Sequence, residues 1–339
     1  MSKYKIKRKL PENLNDEDLF MFEHEFERTF QKIKLINKKN IYINKFQFFK
    51  GDKFLFGSKY WNMNEYKFKR KLKTIVKNLF LKNNHSKIEI IKNASWIANE
   101  KSHNYFHWFG DALQRVEFLI EKKYPELILL SKNYENKEYV TEILDGLNLN
   151  YIFLDDNKTY LVENLDITTH AAVSGNFDSN LINNISKRLK NLYLEENNKN
   201  YIDRIWISRQ SADKRKISNT EEVFDILDDY DFKIIEFENL KLIEQIQLVN
   251  SAKVLGGVHG AGLTNMLFLD KNKDVIEIRG SGDYKNNCFY SLSSALDLNY
   301  YYFLAKVENN NYYGSDYFVD PQRFKSFLKL HFPVKNRDK

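Results

Sequence analysis

Residues 251–268 read SAKVLGGVHGAGLTNMLF, and this block decides the fold. An apolar, strand-like run (Ala252, Val254, Leu255) reaches two glycines. Val258-His259-Gly260-Ala261-Gly262 follows, then an apolar segment opening with Thr264 and Asn265. Strand, glycine-rich turn and helix start together present free backbone N–H groups and a helix dipole to an anion, usually a phosphate. Gly260 and Gly262 are expected to let the backbone approach closely and to take positive φ. His259 adds a donor that titrates near neutral pH. A second predicted strand, Val275-Ile276-Glu277-Ile278, sets an acid where a ribose hydroxyl could be met. GAG alone fits a purely structural turn; His, Asn and trailing Glu in one block favour a nucleotide phosphate site.

Working outward, strands and helices alternate on both sides. Before the block come a predicted strand at 205–207 ending in Ser208-Arg209, a helix at 221–227, a strand at 232–237 and a helix at 242–250. Ser218-x-x-Glu221 and Asn219-x-x-Glu222 both fit a capping box, and Asn239 is the expected cap of the helix at 242–250. Arg209 emerges from the carboxyl end of the first of these strands, with Arg215 across a polar loop, and such guanidinium forks suit bidentate phosphate binding. After the block, a strand is expected at 300–307. Pro321 then starts a helix at 322–331.

The first half shows the same rhythm: strands at 88–98, 127–130, 151–154 and 164–173, helices at 138–147 and 181–193. Alternating aromatics over 41–61 predict short strands or a hairpin around Gly51. Helices are expected near 17–34 and over 67–81. The polar run 195–200 is the expected linker, giving domains 1–195 and 201–320 with a helix and tail at 321–339. In HNYFHWFGDALQRVEFL, residues 103–119, His103, His107 and Asp111 recur at i, i+4, i+8 and form one polar stripe on a helix, continued by Arg115. Burying such groups unpaired costs a few kcal/mol. A network that only fixes packing and a functional site at the carboxyl side of a strand both fit. His103 and His107 have a zinc-like spacing, but no Glu adjoins His103 and no third ligand is evident, so no metal is expected.

With 339 residues, 42% of them hydrophobic, the chain suits two folded domains and is not a disordered one. One cysteine, Cys288, excludes an internal disulfide framework and a cysteine zinc site, and fits a reducing compartment. The net charge of +7 fits either an acidic partner or a lysine-rich composition. No apolar run is long enough for a transmembrane helix. The basic start is followed by Pro11-Glu12-Asn13, unlike a signal peptide. The expectation is a cytoplasmic protein, with peripheral contact at the inner face of the membrane. No nucleic-acid-binding module is recognised.

GGVHGAGLTNMLF followed by VIEI resembles the signature of glycosyltransferase family 61. NYFHWFGDALQR at 104–115 resembles the family's NYxHWxxDxLPR element, with Gln114 where proline is common. WISR at 206–209, EQIQLVNSA at 244–252 and VDP at 319–321 also match, in the right order, so the resemblance covers roughly residues 85–330. It implies a GT-B enzyme: two Rossmann-like domains facing across a cleft, the donor nucleotide held by the C-terminal one. It further implies inverting, metal-independent transfer of a sugar from a nucleotide-sugar donor, UDP favoured, to a glycan or lipid-linked glycan acceptor, in capsular polysaccharide or lipopolysaccharide synthesis. Arg209, Arg215 and the amides around His259, Gly260, Ala261, Gly262, Thr264 and Asn265 would then hold the diphosphate, with Glu277 on ribose. Asp111 or His107 would be the base, with His259 an alternative. Two other readings remain. Gly260-x-Gly262 with Glu277 17 residues beyond Gly260 mimics an NAD-type dinucleotide site, though Asn265 stands where the third Gly or Ala belongs. A non-catalytic nucleotide-binding protein would keep the phosphate contacts without a base.

Overall fold

The computed structural model describes residues 3–44, 47–50, 53–57, 88–99, 101–122, 125–172, 174–194, 201–308 and 314–334. The helix expected over 67–81 and the linker at 195–200 lie outside them. The chain forms two compact α/β units: one holds residues 31–174, the other residues 3–30 together with 175–339. The chain passes from one to the other at 30–31 and again at 174–175.

The N-terminal segment contributes β1 (Lys3–Lys7), α1 (Leu19–Phe26) and β2 (Glu27–Gln31), with β1 and β2 forming a two-stranded sheet. The helix expected near 17–34 is therefore shorter. It is preceded by a 3-10 turn capped by Asn15, whose side chain accepts from the Asp18 N–H at 2.9 Å. It ends where Glu27 turns extended ahead of Thr29 and Phe30, residue types that favour strands.

The first unit is built from β3 (Leu35–Asn44), β4 (Gln47–Lys50), β5 (Lys53–Gly57), β6 (Ile88–Trp96), α2 (Tyr105–His107), a π turn (Trp108–Ala112), α3 (Leu113–Glu121), β7 (Ile128–Ser131), α4 (Glu138–Gly146), β8 (Tyr151–Leu154) and β9 (Thr159–Thr168). Its sheet runs β5-β4-β3-β9-β6-β7-β8. β9, β6, β7 and β8 are parallel. β3, β4 and β5 add an antiparallel meander, so the expected hairpin is present and the sheet is mixed. β9 lies earlier than the 164–173 run, because Tyr160 and Val162 are already buried in the core. From β6 the chain steps to β7 and β8 on one side and places β9 on the other. The strand order reverses between β6 and β9.

The second unit is built from α5 (Ser179–Tyr193), β10 (Arg204–Ile207), α6 (Thr220–Asp229), β11 (Lys233–Ile235), α7 (Leu242–Ser251), β12 (Val254–Val258), a 3-10 helix (Ala261–Phe268), β13 (Asp274–Gly280), α8 (Cys288–Ala295), β14 (Asn299–Val307), β15 (Tyr317–Phe318) and α9 (Pro321–His331). Its sheet runs β11-β10-β12-β13-β14-β15. The first five are parallel and β15 antiparallel. Numbered from β10, the parallel order is 2-1-3-4-5, the flavodoxin-like winding, which reverses between its first and third strands. Here those are β10 and β12. Gly256 makes the close pairing possible, since a Cβ there would sit 2.5 Å from the Trp206 ring. Pro321 and the Asp320 side chain, which accepts from the Arg323 N–H at 3.0 Å, start α9 as expected. The expected caps of α6 and α7 are not made. The Asn219 amide accepts from Val319 N–H and donates to the Val319 carbonyl, and α7 is capped at Lys241, whose N–H donates to Glu244 at 2.8 Å.

Candidate functional site

In open α/β sheets, ligands bind outside the carboxyl ends of the strands at the point where strand order reverses. In the second unit that point lies between Ser208-Arg209, leaving β10, and His259-Gly260, leaving β12. These strands are hydrogen-bonded neighbours, with Ile207 paired to Gly257. The glycine block follows the third strand of its sheet and still reaches the crevice, because winding brings that strand beside the first.

The glycines act through space, not through left-handed backbone. Gly260 is extended, with φ of 176°, and neither it nor Gly262 adopts left-handed backbone. A Cβ at Gly260 would overlap the Arg209 guanidinium, and one at Gly262 would lie 2.9 Å from Ile207 Cγ2. The segment beyond is a 3-10 helix, not an α-helix. Its first bond, Leu263 N–H to the Gly260 carbonyl at 3.0 Å, leaves the Ala261 and Gly262 N–H groups ahead of the ladder. Thr264 is buried with its hydroxyl lacking a hydrogen-bond partner among the described residues. Asn265, equally buried, donates to the Gly262 carbonyl at 3.0 Å and so ties down the turn.

Arg209 lies against Gly260 and donates through Nη2 to the Lys214 carbonyl at 3.1 Å. Burial, and then the neighbouring Arg215 charge, lower its pKa. The Nε–H groups of Arg209 and Arg215 are both buried without an acceptor among the described residues. Arg215 holds left-handed backbone at φ of 57°, inside a loop tied down by Tyr317 N–H to the Lys216 carbonyl. Two close guanidinium groups with donors unspent are a costly arrangement unless an anion completes it.

Glu277 is fully buried. One carboxylate oxygen meets His259 Nδ1 and the other accepts from the Tyr300 hydroxyl. Burial alone would raise its pKa, but His259 foremost, with Arg279 and Tyr300, brings it below the ordinary value. Both oxygens are engaged inside the protein, so the expected ribose contact gives way: Glu277 orients His259 and leaves Nε2 as the nitrogen not engaged by that carboxylate.

The first unit has a parallel arrangement where its own strand order reverses. His107 Nδ1 lies 2.7 Å from Asp111 Oδ2, which also accepts from the Ser174 hydroxyl at 2.9 Å. The His107 side chain is 21% exposed and that of Asp111 2%. Burial opposes ionisation of Asp111, but the hydrogen bond and charge of His107, then His170 and Ser174, hold its carboxyl below the usual range. The fully buried Arg115 donates to the Ile97 carbonyl at 2.6 Å and contacts His170. Burial, then the Arg115 charge, lower His170 to about 3. His107 thus ends α2, Asp111 sits on the π turn and Arg115 on α3, while Ile97 follows β6 and His170 and Ser174 follow β9. His103 precedes α2 and is exposed, so the expected four-member stripe reduces to His107 and Asp111, with Arg115 turned to His170. His170, Ser174, Arg279 and Tyr300 were not among the expected site residues. The signal for the first two was position: both follow the last strand of their sheet. Among the described residues, no group of three or more His, Cys, Asp or Glu could hold a metal, and no helix is long and apolar enough to cross a membrane.

A family model described as Glycosyltransferase 61 matches residues 105–276, which includes the His107 cluster and Arg209 to Asn265 of the second; Glu277, Arg279 and Tyr300 follow it. The chain is similar to the EGF domain-specific O-linked N-acetylglucosamine transferase of Bos taurus, 28% identical over 102 residues, covering 29% of this chain and 19% of that protein. The Gallus gallus protein of the same name is 31% identical over 107 residues, with the same shares. That of Drosophila melanogaster is 30% identical over 98 residues, 28% of this chain and 18% of its own length. The match thus spans about a fifth of the length of these curated relatives.

Proposed function

Because this chain belongs to the glycosyltransferase 61 family, we propose that it transfers a sugar from a UDP-sugar to a hydroxyl group of a glycan acceptor, during synthesis of a surface polysaccharide. The relatives transfer N-acetylglucosamine by name, which makes UDP-N-acetylglucosamine the first donor to test. The observation that carries the reading is the pair of guanidinium groups of Arg209 and Arg215, their buried Nε–H donors unspent and Arg209 lying against Gly260 at the β10/β12 crevice. The second unit would be the donor lobe of a GT-B enzyme and the first its acceptor lobe.

The chemistry is a single displacement with inversion. The acceptor oxygen attacks the anomeric carbon as its bond to the β-phosphate oxygen breaks, and the acceptor proton passes to a base. Arg209, Arg215 and the Ala261 and Gly262 N–H groups stabilise the charge on the departing diphosphate, the work a metal ion does elsewhere. His259 Nε2, oriented by Glu277, completes that donor set. His107 is the base. Asp111, buried and held ionised, is a positioning residue: its carboxylate accepts a hydrogen bond from Nδ1–H, exposes Nε2 to the acceptor and stabilises the imidazolium.

Calorimetric titration with UDP, and product formation from UDP-N-acetylglucosamine in the presence of a chelator, test this reading. Binding of UDP that is weakened in Arg209→Ala is the expected result. Preference for NAD(H) over every nucleoside diphosphate would overturn it.

A further inference from the structure

Residues 3–30 fold with the second unit, although the chain runs through the whole first unit before returning to it. We propose that this segment, through Phe22, is a positioning element of the nucleotide site, holding the buried charges that orient His259. The inference rests on the donor-site reading above.

Phe22 is fully buried. Its ring covers the guanidinium of Arg279, 5.1 Å from the ring centre to Cζ. It packs on Tyr290, Tyr300 and Tyr302 at centroid distances of 5.4, 6.3 and 4.8 Å. Arg279, itself fully buried, donates to the Asn287 side chain at 2.8 Å, and Asn287 in turn donates to the Met21 carbonyl at 2.8 Å. Tyr300 is the hydroxyl that satisfies the second oxygen of Glu277, the carboxylate bonded to His259. The route from Phe22 to His259 is therefore two contacts long on the tyrosine side: ring against Tyr300, then hydroxyl to Glu277. On the arginine side, Phe22 excludes water from the cation whose charge balances Glu277.

The rest of the segment fixes Phe22 in place. Glu12 N–H donates to the Tyr300 carbonyl at 2.8 Å. Asn13 accepts from Tyr302 N–H and donates to its carbonyl, and Asp18 accepts from the Tyr302 hydroxyl at 2.8 Å. Arg8, buried, bonds Glu25 at 2.8 Å and also Asn176. Every tyrosine that touches Phe22 and lies on β14 is held from the N-terminal side as well. A segment whose only task was to cover an apolar sheet face would not need to meet a buried arginine through an aromatic ring and an amide.

The test compares Phe22→Leu, which keeps an apolar side chain and removes the ring face, with Phe20→Ala, whose parent side chain is 52% exposed on the same helix. Two readouts are taken on folded protein: the UDP dissociation constant, and proton exchange at His259 Nδ1 by NMR, assigned by the signal lost in His259→Gln. Expected in Phe22→Leu are an affinity roughly 10-fold weaker, about one factor of ten in Kd, and Nδ1 exchange faster by a similar factor. Phe20→Ala should match the wild type in both. Tyr302→Phe, which removes only the hydroxyl bonded to Asp18, should move both readouts in the same direction by less, and serves if Phe22→Leu does not fold. Unchanged His259 exchange in these folded variants would overturn the positioning role. If the wild type fails to bind UDP, the donor-site reading falls, while His259 exchange still decides whether Phe22 positions that ring.

Discussion

His107 and His259 each turn Nδ1 toward a buried carboxylate, one in each unit, yet their surroundings differ in a way that separates their chemistry. The His107 side chain is 21% exposed, and its partner Asp111 shares an oxygen with a serine hydroxyl. The His259 side chain is 7% exposed, and Glu277 beneath it is shut in by Tyr300 near a buried arginine. A proton acceptor must meet solvent-delivered substrate and release its proton afterwards; a fixed donor to a phosphate must do neither. The exposed pair suits turnover and the enclosed pair suits binding. The winding of each sheet explains why both exist: each unit places its pair where strand order reverses, so each crevice has one oriented imidazole.

The largest effect that would sharpen this contrast is on turnover. His107→Ala should lower kcat by roughly 10²–10⁴-fold, the usual contribution of a positioned general base, with UDP affinity unchanged by calorimetry. Turnover near wild type would transfer the role to the second pair and dissolve the distinction.

Next in size is the anion side. Charge-assisted hydrogen bonds contribute about 1.5–3 kcal/mol each, so Arg209→Ala should weaken UDP binding by roughly 10–100-fold while the acceptor KM stays put. An equal loss of acceptor affinity would mean that the two crevices are not functionally separate.

The glycines split the same way, on one strand and its turn. Gly256→Ala drives a methyl into the buried Trp206 ring, an overpacking expected to cost about 1–3 kcal/mol of stability by denaturant unfolding. Gly260→Ala meets only the movable end of Arg209 and suffers no backbone strain at an extended φ. It should leave stability intact and weaken UDP binding by roughly 10-fold. Reversed outcomes would assign the turn to folding instead of to ligand.

Much of this was legible in the chain. β8 was expected at 151–154 and β13 around 275–278, because short apolar runs bounded by polar turns leave little choice. The glycine block was placed at a strand end for the same reason. Its conformation was not: the expected positive φ rests on what glycine permits, whereas what the site needs is the volume taken up by Arg209. Spacing alone also put His103, His107 and Asp111 on one stripe. The π turn and the late start of α2 break that geometry, and neither leaves a periodic mark. Glu277 looked like a ribose ligand because distance along the chain says nothing about Tyr300, 23 residues on, which reaches it from the adjacent strand. The role of Asn219 was misplaced likewise, since its partner is 100 residues away. Long-range partners, not local propensity, account for these differences.

The smallest effect concerns acid stability, and it separates the two pairs by pH. His170, behind the His107 pair, is lowered from 6.5 to about 3 in the folded unit. Between those values the unfolded chain binds the extra proton, so stability falls as pH drops through that window. Asp111 and Glu277 are also lowered, from ordinary values of 3.8 and 4.5. Their stabilisation is present above those values and is lost as pH falls toward the depressed folded ones, which places it further into acid. The interval between about pH 6.5 and 4.5 thus reports His170 together with His331 of the second unit, which burial also lowers, and the His170→Asn difference isolates the first unit's share. His170→Asn, which removes the titrating ring and retains a side-chain acceptor for Arg115, should flatten the dependence of Tm on pH there by roughly 2–4 °C, leaving the steeper loss below pH 4.5 in place. A wild-type Tm that is already flat across that interval would mean that His170 carries its proton in the folded state. The Arg115 contact would then have to be remade, and Asp111 would face a charged neighbour instead of a neutral one.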